Sequence, residues 1–227
     1  MKLYYDLHIH SALSPCGDES MTPNNIVNMA LLKGLDLISV TDHNHIGNSR
    51  STAALARARG LLFLPGIEIH TLEDIHILCY FETLESLEAF FKTLDSSLCT
   101  IPHDRERFGT QLLLGEGDEI LSEYPYGLLF PVSIKLSTLV QRAAAFGGLS
   151  VPAHVHRKSY GIISQLGFLP EGMSFAALEN PESDLPTDLT ILRNSDAHFL
   201  GNISERIHFL QVRERSIPAV FEALKGE

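Results

Sequence analysis

At 227 residues, 44% of them hydrophobic, the chain has the length and apolar content of one large folded domain rather than a disordered segment. No apolar stretch reaches the roughly 18 residues of a membrane-spanning helix, and Met1-Lys2-Leu3-Tyr4 opens no signal-peptide pattern, so a cytoplasmic protein with no membrane partner is expected. A net charge of −11 excludes a polybasic groove and with it a stable nucleic-acid complex, although divalent cations gathered in one pocket would still attract an anion.

In chain order, apolar runs at 3–9, 37–41, 61–69, 75–81, 149–153, 175–178, 190–192 and 207–212 read as short strands, mostly buried on both faces. Amphipathic stretches lie between them. Thr22-Pro23 opens a helix to about residue 33, with the threonine as N-cap, the proline in the first turn and Gly34 as terminator. An alanine-rich helix at 48–59 stops at Gly60, and further helices are predicted at 84–94, 137–146 and 217–224. This alternation predicts an α/β protein with a parallel sheet, open or closed into a barrel. Residues from about 95 to 131 break the rhythm, and Gly115-Glu116-Gly117-Asp118 and Tyr124-Pro125-Tyr126-Gly127 interrupt any period. A loop of that length reads as a lid or substrate-binding insertion as readily as a surface excursion. Cys16, Cys79 and Cys99 are odd in number and far apart, which argues for a reducing compartment and against a disulfide framework.

The chemistry-bearing residues cluster at the ends of these runs. His8-Ile9-His10 closes the first, and because side chains alternate along a strand the two imidazoles project from one face. Thr41-Asp42-His43, Gly66-Ile67-Glu68, Ile75-His76, Pro152-Ala153-His154 and Ser195-Asp196-Ala197-His198 each put His, Asp or Glu at or beside an end of another run. Functional groups of parallel α/β proteins gather at the carboxyl ends of strands. Several imidazoles with a few carboxylates suit zinc, manganese or iron, and Glu68 or Asp196 is placed to bridge two ions. A multinuclear metal site is therefore expected. His70, two residues past Glu68, suits a supporting contact. His45, by contrast, points to the opposite side of an extended chain, His103 falls in the irregular segment, and His208 reads as structural.

Taken in order, Asp6-Leu7-His8-Ile9-His10-Ser11, Thr41-Asp42-His43-Asn44, Pro65-Gly66-Ile67-Glu68, Pro152-Ala153-His154 and Ser195-Asp196-Ala197-His198 resemble the motifs of the polymerase and histidinol phosphatase (PHP) family. The resemblance covers nearly the whole chain and lies nearest the stand-alone metal-dependent phosphoesterases. It implies a distorted (β/α)7 TIM-like barrel with a trinuclear centre at the carboxyl ends of its strands, in one PHP domain over 1–227 with the irregular insertion at about 95–131. It assigns His8, His10, Glu68 and Asp196 to one ion, Glu68 with His76 and His154 to a second, and His43 and His198 to a third. Two or three divalent ions (Mn, Fe or Zn) are implied. Related phosphoesterases supply the third ion with an Asp five positions after the second histidine, where this chain has Pro15. Counted from the Thr22-Pro23 helix start, Asp18 keeps the family spacing after a short insertion, Ser14-Pro15-Cys16-Gly17. Cys16, as a zinc-binding thiolate, and Glu19 are its rivals; with none of them the site is binuclear.

Such ions lower the pKa of a bound water and neutralise phosphate oxygens. His198, Asp42 or a metal-bound water are the candidates for general acid. Arg157 and Lys158, beside His154, suit a phosphate contact or a solvated loop, and His156 suits a substrate contact. The expected activity is hydrolysis of a phosphate monoester of a small metabolite, a nucleotide or nucleoside bisphosphate. The alternatives are a 5′–3′ exonuclease on short oligonucleotides and a non-catalytic metal-binding PHP module. Carbon–nitrogen bond hydrolysis is a fainter one, since no strand end carries the bridging lysine that amidohydrolases use.

Overall fold

Where the apolar runs end, the chain turns, and the turns decide which way each strand points. The computed structural model describes residues 1–180 and 188–226. Its first half runs β1 (Lys2–Ile9), α1 (Pro23–Leu32), β2 (Leu37–Val40), α2 (Ser49–Ala58), β3 (Leu62–Phe63), β4 (Gly66–His70), β5 (His76–Tyr80) and α3 (Leu84–Lys92). Then come α4 (Arg105–Phe108), β6 (Leu112–Leu114), β7 (Ile120–Glu123), α5 (Leu136–Ala145), β8 (Leu149–Pro152) and α6 (Ile162–Leu166). The described chain closes with β9 (Ala177–Glu179), β10 (Thr190–Leu192), β11 (Phe209–Gln211) and α7 (Ile217–Lys225). None of these helices is long and apolar enough to cross a membrane.

Local chemistry accounts for the boundaries. Thr22 caps α1 by accepting from the Asn25 amide, Thr83 caps α3 and Ser216 caps α7 in the same way. The predicted 61–69 strand is two strands, because Pro65 has no N–H to give a ladder and separates β3 from β4. Asn48 precedes α2 but does not cap it: its amide donates to the Leu112 carbonyl at 3.0 Å and its Oδ1 accepts from the Leu114 amide at 2.8 Å.

The sheet departs from the predicted barrel. Four sheets are present among the described residues, in the orders β11-β1-β2-β3, β4-β5-β8, β10-β9 and β6-β7, and no continuous ladder closes them. The pairs β1–β2, β2–β3 and β9–β10 are parallel as expected, whereas β4–β5 and β5–β8 are antiparallel. The loop between His70 and His76 explains the first reversal, since a parallel crossover needs a dozen residues or more and this connection is far shorter. Among the described residues, isolated parallel bridges link the sheets, Ile9 with Ala197, His43 with Glu68 and Ser150 with Phe175. One of these bridges, His43 with Glu68, joins two candidate ligands.

Alternation along β4 and β5 sorts their side chains. Ile67, Ile69, Ile77 and Cys79 pack outward with Leu87 and Phe90 of α3 and Leu139 of α5. Leu78 and Tyr80 face inward with Leu7 of β1 and Val220 and Phe221 of α7. Glu68 has the opposite parity to Ile67 and Ile69, so the fold carries its carboxylate inside. Cys79, fully buried, is the small hydrophobe its run predicts.

The 95–131 segment is ordered by side-chain bonds rather than by a core of its own. It holds a 3-10 turn at Asp95–Ser97, α4 and the β6–β7 hairpin, with β7 exposed along its length. Asp118 fastens the hairpin to the start of α1, accepting from Thr22 Oγ1 at 2.6 Å and the Asn24 amide at 3.0 Å. Asn44 reaches its far end, donating to the Leu128 carbonyl at 2.8 Å. Elements this short and this exposed leave no period to read.

Candidate metal centre

The strand ends converge on the Glu68 carboxylate. His8 and His10 come from the end of β1, His43 from the turn after β2, His154 from the turn after β8 and Asp196 from beyond β10. His76 begins β5, and the antiparallel run of that strand is what brings its first residue to the same end, opposite His70 in the register. His154 and Asp196 hold left-handed backbone, with φ of 30° and 53°, a strained conformation that functional sites retain when surrounding contacts enforce it.

Around Glu68 the approach distances are short. Its Oε1 lies 3.0 Å from His76 Nδ1 and 3.4 Å from both His8 Nε2 and His154 Nε2. Its Oε2 lies 2.9 Å from His43 Nδ1 and 3.4 Å from His10 Nε2. Asp196 Oδ1 stands 3.2 Å from His8 Nε2 and 3.0 Å from His10 Nε2. Yet both Glu68 oxygens, His76 Nδ1 and both His154 nitrogens are buried without a hydrogen-bond partner. Ligand atoms sharing one ion at 2.0–2.2 Å lie about 3.0–3.5 Å apart, so the spacing fits donors around cations better than it fits hydrogen bonds.

Neighbouring residues fix which imidazole nitrogens face inward. His8 donates through Nδ1 to Glu179 Oε1 at 2.8 Å. Ser14 Oγ donates to Asp42 Oδ1 at 2.7 Å, so toward His10 Nδ1, 3.0 Å away, the hydroxyl accepts. Both rings thus carry their proton on Nδ1 when neutral and present an Nε2 lone pair to the centre. Those two Nε2 atoms stand 3.1 Å apart. Two lone pairs at that separation repel unless a proton or a metal cation lies between them. The surrounding carboxylates attract positive charge to this spot: burial opposes protonation of His8, but Glu179, Asp196 and Glu68 outweigh it and hold its pKa well above the usual value, so a proton on Nε2 stands where an ion would bind. Burial likewise works against ionisation of Glu68, and the His76, His8 and His43 charges reverse that and hold its carboxyl well below the ordinary range.

The other predicted site residues divide. His198 donates through Nδ1 to the Asp196 carbonyl at 2.7 Å, which leaves Nε2 for a ligand, and its ring stacks on His10. Asp18 does not join the cluster. Its carboxylate is exposed and accepts from the Ser20 amide at 2.9 Å, while Cys16 lies among His10, His43 and His198. Glu19 is exposed, and Thr110 donates to it. Asp42 is fully engaged as an acceptor from the Ser11 amide, Ser11 Oγ and Ser14 Oγ at 2.6–2.7 Å, so it positions His10 rather than facing substrate. Arg157, 44% exposed at its side chain, reaches Asp196 Oδ2 at 2.5 Å and marks the mouth of the site. Lys158 is exposed and His156 half-buried. His70 holds Asp74 at 2.7 Å and packs edge-on to His76; His45 packs on Phe91 and Tyr124; His103 meets the Gly109 carbonyl; His208 is exposed.

Two contributors escape the sequence reading. Glu179 is fully buried at the end of β9, where it accepts from His8, from Asn194 Nδ2 at 2.7 Å and from the His154 amide at 2.8 Å. It follows a short apolar run, as the other carboxylates do. Tyr160 lies flat on His76, with ring planes 2° apart and centroids at 4.3 Å, and no sequence pattern marks it.

The donor set suits divalent ions: His8, His10 and Glu68 form one group of converging donor atoms, His43, Glu68 and His76 another, and His10, Cys16, His43 and His198 a further one. No family model matches the chain. Over 64 residues, 28% of this chain and 21% of the relative, it is 38% identical to a 3′,5′-nucleoside bisphosphate phosphatase from Chromobacterium violaceum. The lesion-specific endonuclease PfuEndoQ from Pyrococcus furiosus superposes on 100% of this chain and 56% of its own, with a TM-score of 0.72 at 21% identity. A two-domain protein from Bacteroides vulgatus, containing a predicted PHP-like metal-dependent phosphoesterase, superposes on 99% of this chain and 63% of its own, with a TM-score of 0.58 at 19% identity. The matched region spans less than two thirds of each of these proteins. What the chain shares with the two solved structures is their fold.

Proposed function

We propose that the chain is a metal-dependent phosphoric ester hydrolase of the PHP type. The convergence of His8 Nε2 and His10 Nε2, 3.1 Å apart, on a buried carboxylate whose oxygens have no hydrogen-bond partner carries this reading. Bound divalent ions would supply positive charge for the phosphate oxygens and an activated water for the attack. Glu68 is placed to bridge them, and Glu179, Ser14 and the Asp196 carbonyl hold the imidazoles in the required tautomers. Arg157 leaves Asp196 to meet the substrate phosphate as a planar donor pair. The His198 side chain, 23% exposed, is the most exposed imidazole of the cluster and meets the leaving group or a ligand there.

The finer reading is a phosphate monoester of a nucleotide or nucleoside bisphosphate. The local likeness to a bisphosphate phosphatase supports it, and so does the depth of the donors. Glu68, His76 and His154 are at most 6% exposed, which suits a terminal phosphate entering end-on. A second reading, cleavage of a nucleic-acid phosphodiester, is favoured by superposition of the whole chain on the endonuclease.

The test starts from chelator-stripped protein reloaded with manganese or zinc. Nucleoside 3′,5′-bisphosphates, nucleoside monophosphates, single-stranded oligonucleotides and an abasic-site duplex are offered in turn. Metal-dependent release of inorganic phosphate, abolished in Glu68→Gln, is expected. Strand scission without phosphate release would replace the monoester reading by the nuclease one. Undiminished activity in the stripped protein would end both.

A further inference from the structure

The insertion that displaces Asp18 is a tight turn, and the turn has a purpose. Ser14 N–H donates to the Ser11 carbonyl at 3.1 Å, and Gly17 N–H to the Ser14 carbonyl at 2.8 Å. A Cβ on Gly17 would stand 2.5 Å from the Ser11 carbonyl oxygen, so only glycine lets the backbone fold back this closely. The next amide, of Asp18, donates to the His198 carbonyl at 2.9 Å and ties the turn to the loop that carries His198. The result is an exchange of side chains. Asp18 is turned to solvent and to Ser20, while the Cys16 sulfur comes within 4.8 Å of one ring nitrogen each of His10, His43 and His198, themselves mutually within that distance.

Three of those four groups have a donor to spare. His198 has spent Nδ1 on the Asp196 carbonyl and keeps Nε2. His43 has Nδ1 at 2.9 Å from Glu68 and keeps its other nitrogen. The Cys16 sulfur lies within 4.8 Å of a ring nitrogen of each of these two. His10 is the exception, with Nδ1 on Ser14 and Nε2 beside Asp196.

We infer that Cys16, His43 and His198 form a thiolate–imidazole site for a third ion, in place of the carboxylate site that the Asp18 spacing implies. Resting on the metal-hydrolase reading, the assignment changes which metal the third position selects. A thiolate with two imidazoles favours a borderline ion such as zinc or ferrous iron over manganese or magnesium, and a site of three protein ligands keeps a position open for water or phosphate. The first two positions, built of imidazole and carboxylate, carry no such preference for sulfur-loving ions. Cys16 is half-buried and the His198 side chain 23% exposed, so the third ion is the one that solvent and substrate reach first.

Cobalt reports on this directly, because a sulfur ligand gives a near-ultraviolet charge-transfer band that nitrogen and oxygen ligands lack. Stripped full-length protein titrated with cobalt should develop that band together with three equivalents of bound metal. Cys16→Ser should lose the band and one equivalent while keeping the other two; Asp18→Ala should keep both. In the unaltered protein, zinc should slow alkylation of Cys16 at least tenfold, read by peptide mass, which tests the site without any variant. Cobalt bound with no charge-transfer band, or a third equivalent lost in Asp18→Ala and retained in Cys16→Ser, would overturn the assignment and leave the hydrolase reading standing. Protein that binds no cobalt at all would overturn both.

Discussion

Replacing Glu179 by Gln removes a charge that touches no substrate, yet it should loosen the metal centre. The carboxylate takes three donors: His8 Nδ1 at 2.8 Å and Asn194 Nδ2 at 2.7 Å on Oε1, and the His154 amide at 2.8 Å on Oε2. A glutamine has one accepting atom for these two positions. If its oxygen faces His8 and Asn194, its NH2 confronts the His154 amide, donor against donor. If it flips, His8 must move its proton to Nε2 and offer the metal a donor instead of a lone pair. Either arrangement gives up at least one charge-assisted bond at a site with no solvent, about 2–4 kcal/mol of stability. Supporting partners of this kind are each worth about 10–100-fold in metal affinity. The measurement is zinc affinity by competition with a chromogenic chelator, paired with urea unfolding of the stripped protein. A Glu179→Gln variant that binds zinc within about twofold of the parent would refute the argument that this carboxylate sets the His8 tautomer.

Arg157→Ala should raise KM for a phosphate ester about tenfold with a much smaller change in kcat, since a guanidinium at the mouth contributes binding before chemistry; steady-state kinetics in saturating metal check it, and an unchanged KM removes Arg157 from the phosphate site. His45, away from the metals and packed on Phe91 and Tyr124, gives a prediction about acid stability. Burial lowers its pKa from 6.5 to about 4, and its Nδ1 accepts from the Gly47 amide at 3.0 Å, a bond that protonation destroys. The unfolded chain therefore binds this proton first, and stability is lost as pH falls from 6.5 toward 4. By pH 5 the loss is about 2 kcal/mol. His45→Asn, whose Oδ1 can keep the Gly47 bond, should flatten that limb between pH 7.5 and pH 5 in urea unfolding, and identical slopes in the two proteins would show that His45 is not the group responsible.

Much of the site is legible in the sequence because strand ends are, and much of what is not legible depends on one residue of rotation. His8, His10, His43, His154 and Asp196 all sit at or beyond the end of an apolar run, and a strand that ends at a given edge delivers its next residues there. Glu179 has the same placement at the end of β9, but a carboxylate whose work is to hold another residue's proton lies outside any ligand pattern. Ser14 is harder still, since nothing local distinguishes the hydroxyl that links Asp42 to His10 from the other serines of the chain. The antiparallel course of β5 is written in the shortness of the loop after His70, and it explains why His76 begins a strand where its partners end theirs. Closure of the sheet is not written anywhere comparable: the sheets meet through single bridges whose partners are remote in sequence, such as Ile9 with Ala197. The third ion's ligand is the sharpest instance. Counting from His10 reaches Pro15 and counting back from the Thr22-Pro23 helix start reaches Asp18, but counting fixes position along the chain and not direction. Gly17, by admitting a turn that any side chain would block, sends Cys16 inward and Asp18 out. A glycine inside an apparent insertion, between two rival ligands, is the signal that separates them, and its meaning lies in the close approach of its Cα to the Ser11 carbonyl.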